Sequence, residues 1–260
     1  MSRSVLIPVR VLVGRIVVVA SSVGLILLIG AQQAHASSIP VLLTGRMAEA
    51  LGPDYASRIW AVDLTNDLSP HEVVMVTSLA QFRAAEIPAG TTVMYDLEHW
   101  EYTPAQEWEH PVAALRTFVN EAHARGLITV LAPGFTALRS SLGCRQRKHQ
   151  TAIGAYVRCF APLQTDYLLL QSQGVECSPS VFRSEVGSVA AVSPAHVIAE
   201  LTVVPSWPCI SAPLLVYDAH AVAGIADGVS VWGLGVAART NIRSAGAQVT
   251  MLEAFFAETH

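Results

Sequence analysis

The chain predicts an α/β fold, a single β/α barrel in an incomplete or trimmed form. Three observations carry that expectation. Strand-like apolar runs alternate with helix-like segments, seven such runs are clear with an eighth candidate, and no Gly, Ser or Pro-rich linker divides them. Strand, helix, strand in succession implies right-handed crossovers and a parallel sheet. So many strands suit a closed barrel better than the runner-up, an open doubly wound sheet. The length left after an N-terminal leader falls somewhat below the ~250 residues typical of such barrels, hence the trimming.

Taken in order, the strand candidates are Ile39 to Thr44, Val73 to Thr77, Thr92 to Glu98, Ile128 to Ala132, Asp166 to Gln171, Val197 to Val204 and Val229 to Leu234. Arg58 to Leu64 is the eighth candidate. Between them, Pro111 to Arg125 places Val112, Leu115, Val119 and Ala122 at helical spacing, with Gly126 as its stop. Similar helical segments are expected over Val181 to Val192, Pro213 to Ala226 and Ala245 to Glu258.

The first 36 residues read as a secretory signal peptide. Arg3, Arg10 and Arg15 make a positive start without acids, an apolar run extends from Ile16 to Gly30, and Ala34-His35-Ala36 offers the small-x-small cleavage pattern. The competing reading is an uncleaved anchor, since the apolar run with its flanking residues almost spans a bilayer. Cleavage leaves residues 37–260 as one barrel domain of a secreted protein, with no stable membrane anchor. It removes three of the sixteen basic residues and none of the twenty acids, so the net charge passes from −4 to −7. So acidic a chain lacks the footprint of a nucleic-acid binder.

Cys144, Cys159, Cys177 and Cys209 all lie in the exported part, which suits an oxidising compartment. Their spacings contain no C-x-x-C, which argues against zinc or redox chemistry. Two disulfides are expected. Of the three connectivities, Cys144–Cys159 with Cys177–Cys209 is favoured because nearest pairing closes short loops.

Chemistry on a barrel belongs where strands end at the C-terminal face. The most polar strand end is Met94-Tyr95-Asp96-Leu97-Glu98-His99-Trp100-Glu101. Alternation along a strand puts Asp96 and Glu98 on one side with Met94 below them, and Tyr95 and Leu97 on the other. Two adjacent carboxylates in a partly dry mouth repel one another, leaving one acid and one anion, the division of labour that glycoside hydrolysis needs. The alternative is that both acids are solvated or pair with arginines such as Arg139.

A D-x-E ending on an apolar barrel strand resembles the catalytic strand of glycoside hydrolase family 18, the chitinases and their relatives. Set on that family's D-x-x-D-x-D-x-E pattern, Glu98 takes the last position and Asp96 the third aspartate, while Thr91 and Met94 stand where the two earlier acids would be. Leu97 replaces the tryptophan usual before the glutamate. The resemblance implies that Glu98 protonates the leaving glycosidic oxygen and that Asp96 steers the substrate's own acetamido group as nucleophile, the substrate-assisted exception to the usual scheme. It equally admits lectin-like members without activity. The stretch from Tyr95 through Trp100, with Thr103-Pro104 and Pro111-Val112, also resembles exported bacterial barrel proteins of unassigned function.

Other strand ends could complete a sugar site. Gln171 and Gln173 offer amides to hydroxyls, and Trp232 a floor for a sugar ring unless it is plain core. Tyr95, His99, Trp100, Glu101 and Tyr102 form an aromatic and acidic cluster over the expected mouth, where His99 is a candidate general base or a capped surface histidine. Glu176 is expected to be a solvated loop acid, and Arg145, Arg147 and Lys148 a solvated disulfide loop.

Sharper motifs fail on context. No G-x-S-x-G or H-E-x-x-H is present, and Gly233-Leu234-Gly235 imitates a dinucleotide loop with no strand after it. The same loop, near Arg239 and Arg243, would suit an anionic group on a barrel. Asp96 and Glu98 alone do not establish a metal site. The expectation is therefore no cofactor, no metal, and a carbohydrate or other small-molecule ligand, bound by a glycosidase-like enzyme or by a non-catalytic binding protein.

N-terminal sequencing of the exported protein is expected to begin at Ser37. Retention of residues before Ala34 would show that the leader is not cleaved there.

Overall fold

The computed structural model describes residues 41–44, 48, 51–52, 54, 59–62, 71–147, 150–172, 175–203, 209–233 and 242–259. The leader expected over residues 1–36, with its cleavage site, lies outside them.

Eight strands follow one another around a parallel sheet: β1 (Val41–Thr44), β2 (Ile59–Val62), β3 (His71–Val76), β4 (Thr92–Leu97), β5 (Ile128–Pro133), β6 (Tyr167–Leu170), β7 (His196–Thr202) and β8 (Gly228–Trp232). The eighth candidate is thus real, as β2. Each strand pairs with the next in the chain, and β1 returns to β8 through two residue pairs, Leu42 with Ser230 and Leu43 with Val231. By contrast β4 and β5 pair over six positions. Among the staves with described residues on both sides, β6 is the shortest, with four residues.

The described helices are α1 (Leu79–Ala84), α2 (Ala105–Glu109), α3 (Pro111–Ala124), α4 (Phe135–Ser140), α5 (Ala152–Cys159), α6 (Pro179–Ala190), α7 (Ala212–Val222) and α8 (Ile242–Thr259). Local chemistry explains their starts. Ser78, Thr151 and Ser211 accept hydrogen bonds from first-turn amides of α1, α5 and α7, and prolines open α3, α6 and α7. Gly126 ends α3 as expected, with φ +71°, a conformation that favours glycine, while Leu127 N donates to Ala122 O at 3.0 Å. Helix α7 stops at Val222, four residues short of its expected end, because Ala223 turns extended and Gly224 takes φ +72°. Among the described residues no helix is long and apolar enough to cross a membrane.

Strand alternation sorts the side chains into two cores. Leu42, Val73, Met94, Val130, Leu169 and Ile198 fill the lumen. The opposite faces, including Tyr95, Leu97, Leu131 and Ala199, pack against helix side chains such as Phe82 and Phe118. Each fully buried Phe or Leu there contributes roughly 1.5–3 kcal/mol.

The disulfides join Cys144 to Cys159 and Cys177 to Cys209, with Cα–Cα separations of 5.9 and 5.6 Å, in the favoured connectivity. The first ties the segment after α4 to the end of α5; the second ties the turn before α6 to the segment before α7. Non-reducing peptide mapping is expected to recover these two linkages and no free thiol. Replacing both cysteines of the second pair with alanine should cost about 3 kcal/mol in denaturant unfolding, and an unchanged midpoint would show that the cross-link constrains nothing.

Candidate functional site

The polar end of the lumen is built by register. Asp96 pairs with Ala132, and one residue past the Leu97–Pro133 pair Glu98 comes beside Gly134. One residue past the Leu170–Ala199 pair, Gln171 comes beside Glu200, which pairs in turn with Ser230. All of these share the inward face with Met94, Leu169 and Ile198 below them. Asp96 and Glu98 therefore face the same side, Tyr95 and Leu97 the other, as alternation requires.

Gly134 makes the meeting possible. A Cβ there would stand 2.9 Å from Glu98 Cγ and 3.0 Å from Gln171 Oε1. Its φ of −71° suits any residue, so space is what excludes a side chain. Across the gap Gln171 Nε2 donates to Asp96 Oδ1 at 3.1 Å and to Ala132 O at 3.2 Å.

The charges of this layer are mutually unfavourable. Burial pushes the Asp96 carboxyl up to about 8, the charge of Glu98 adds to the effect, and the Gln171 hydrogen bond opposes it. Burial also raises Glu98, again against Gln171. Glu200, 4 % exposed, is held well above the carboxylate range by burial and then by Asp96, Glu98 and Glu176. Among the described residues no ion pair joins Asp96 or Glu98 to an arginine, and Arg139 is exposed. Such a mouth carries protons at neutral pH and can donate them. No group of three or more His, Cys, Asp or Glu among the described residues could hold a metal ion.

The other expected residues divide. Trp232 has the inward parity of Ser230 and is 43 % exposed at the rim, so it is not core. His99 stacks on Trp108 at 4.1 Å between centroids, its Nδ1 lies 3.0 Å from Ser140 Oγ, and its amide donates to Thr136 Oγ1. Trp100 anchors the loop after β4, donating through Nε1 to Thr103 Oγ1, which donates to Thr77 O at the end of β3. Tyr95 does not join the mouth: it is fully buried beneath α3, tilted on Phe118, and its hydroxyl donates to Glu107 of α2. Tyr102 is exposed and meets Trp100 edge-on. Gln173 lies outside the described residues, as do Leu234, Gly235 and Arg239 of the glycine loop; Arg145 and Arg147 are exposed, as expected.

Two findings went unread in the sequence. Glu200 stands inside the apolar strand β7 (His196–Thr202), where an acid at inward parity was the available signal. Glu176, expected in solvent, is fully buried: it accepts the amide of Thr202, its Oε2 has no partner, and burial, with Asp218 nearby, pushes it up to about 9. Asp218 of α7 is equally buried, neither of its oxygens has a partner, and burial raises it to about 7. Away from the mouth, a cavity of about 430 Å³ opens between the start of α3 and the Cys144–Cys159 disulfide, lined by Arg116 and Arg158 and by none of these carboxyl groups.

No protein-family model matches the chain, and the search of curated proteins finds no match.

Asp96, Glu176 and Asp218 all hold protons in the fold that the unfolded chain releases near pH 4. Their stabilising contribution is complete below that pH and is lost as pH rises toward about 9. Thermal melts should therefore show a falling Tm over that window and a shallower fall in Asp218→Asn. Equal slopes in both proteins would contradict the buried, unpartnered state of Asp218.

Proposed function

We propose that this chain is a secreted, glycoside-hydrolase-like protein that acts on a sugar through Glu98 and Asp96. One observation carries the reading: the two carboxyl groups share the inward face at the C-terminal end of β4, joined through Gln171, with no arginine paired to either among the described residues. Buried structural acids are ordinarily paired, because an unpaired charge costs several kcal/mol. An acid at a barrel mouth with no opposite charge beside it and its pKa raised by burial is placed for proton transfer instead.

Glu98 stands two residues further toward the rim than Asp96 and is the proton donor to the leaving oxygen. Asp96, deeper and held by Gln171, orients and stabilises the group that attacks. The resemblance to family 18 makes that group the acetamido oxygen of an N-acetylated sugar. Trp232 offers its half-exposed ring as a face for the sugar. The disulfides suit the oxidising compartment that secretion would reach.

One observation favours the second reading, a non-catalytic binding protein. Met94, in the lumen beneath Asp96, is apolar where the family pattern carries an acid.

Glu98→Gln keeps the shape and removes the transferable proton. Turnover of acetamido-sugar oligomers should fall roughly 10²- to 10⁴-fold while the Tm stays within a few degrees. A Glu98→Gln protein with full activity would end the glycosidase reading. Sugar affinity without turnover in the wild type would establish the binding protein.

A further inference from the structure

The cavity beside the first disulfide takes no part in the site at the mouth. It opens between the start of α3 and the segments that Cys144 and Cys159 join, with a volume of about 430 Å³. We propose that it binds a tetrahedral oxyanion, a phosphate or sulfate group carried on a small molecule or present as the free ion, between Arg116 and Arg158. No residue of the mouth is involved, so the proposal does not depend on the glycosidase reading.

Both arginines bring charge that nothing around them neutralises. Among the described residues Arg116 has no hydrogen bond and no ion pair. Arg158 donates to Gln150 Oε1 and to the carbonyls of Cys144 and Arg145, and all three acceptors are neutral. Those bonds fix its guanidinium and leave its Nε–H without an acceptor among the described residues. No Asp or Glu is among the described residues that line the cavity. Arg145 and Arg147, exposed in the same disulfide loop, add to the positive charge. In a chain of net charge −4, this local excess of cations sets the place apart.

Val112 and Ser141 add uncharged donors to the lining. Helix α3 starts without a side-chain cap and without an acid in its first turn. The Val112 N–H has no acceptor among the described residues, while the next two amides, of Ala113 and Ala114, donate to His110 O. An anion there also meets the favourable end of the helix dipole. Ser141 is fully buried, and its Oγ accepts the amides of Cys144 at 2.9 Å and Gly143 at 3.3 Å, so its own hydrogen remains to be donated. Cys144 and Cys159 line the cavity themselves, and their bond holds the segment carrying Ser141 to the end of the helix carrying Arg158.

Two guanidinium forks, an amide and a hydroxyl offer more donors than two coplanar carboxylate oxygens can meet, and they suit the oxygens of phosphate or sulfate. The volume falls within the roughly 300 to 1,000 Å³ of small-molecule pockets, which leaves room for a molecule that carries the anion.

Calorimetric titration of the full-length protein at low ionic strength, with inorganic phosphate, inorganic sulfate and glucose 6-phosphate as probes and acetate and glucose as comparisons, tests the site. A Kd on the order of 1 mM or tighter is expected for at least one of the three oxyanions, with none measurable for glucose. Arg116→Gln should weaken it at least about tenfold. Arg158→Lys keeps the charge, loses the fork and should weaken it by a smaller factor, and it takes over the comparison should Arg116→Gln fail to fold. Arg83→Gln removes the same charge from α1, which does not line the cavity, and should leave the Kd within about twofold. In ¹⁵N NMR the Val112 amide should shift on saturation. Tighter binding of glucose 6-phosphate than of inorganic phosphate would assign the site to an esterified anion, and the reverse order to the free ion. No binding of any of the three, acetate bound as tightly as phosphate, an unmoved Val112 amide, or an equal loss in Arg83→Gln and Arg116→Gln would each overturn the proposal.

Discussion

The lumen of an eight-stranded barrel has room for side chains and little else, so whatever the strands turn inward must fill it in layers. Alternation along each strand and the register between strands decide who meets whom. Met94, Val130, Leu169 and Ile198 fill the lower part with hydrocarbon. Where β4 and β7 turn acids inward instead, those acids come into one layer with no freedom to avoid each other. Every later property of the site follows from that forced proximity. Gly134 has no room for a side chain, Gln171 is shared between a carboxyl and a carbonyl, and burial pushes the Asp96 carboxyl up to about 8.

An apolar layer in the same place would be more stable. Buried acids without opposite charges lower the stability of the folded state above the ordinary carboxylate range, and the fold tolerates them because the hydrophobic layer beneath and the helix layer outside are fully packed. Glu176 and Asp218 add to the same burden at the Cys177–Cys209 disulfide. That cross-link holds the chain together next to the part of the fold most loaded with like groups.

Much of this was legible in the residues. Alternating apolar runs gave the parallel sheet, and Gly126 gave the end of α3, because these depend on local geometry. Asp96 and Glu98 could be put on one face by counting in twos, and nearest-neighbour pairing of the cysteines proved correct. Tyr95 shows the limit. Counting in twos already turned it away from the mouth, yet its place in an aromatic and acidic run suggested the mouth; its actual partners, Phe118 and Glu107, come from helices later in the chain. Glu200 and Glu176 were missed for a related reason. An acid inside an apolar strand has meaning only once the neighbouring strands are known. Glu176 looked like a surface residue because nothing in its vicinity in the sequence announces its partner, the amide of Thr202 at the end of β7.

Among the described residues the seam between β1 and β8 has two residue pairs, and its halves are far apart in the chain. A ribosome adding roughly 5 to 20 residues per second needs roughly 10 to 40 s to make the stretch between them. Throughout that time the outer edge of β1 has no stave to join. Its unpaired amides and carbonyls are a template for any passing strand, so the first strand made is the last to be sealed, and its custody until then falls to something other than the fold.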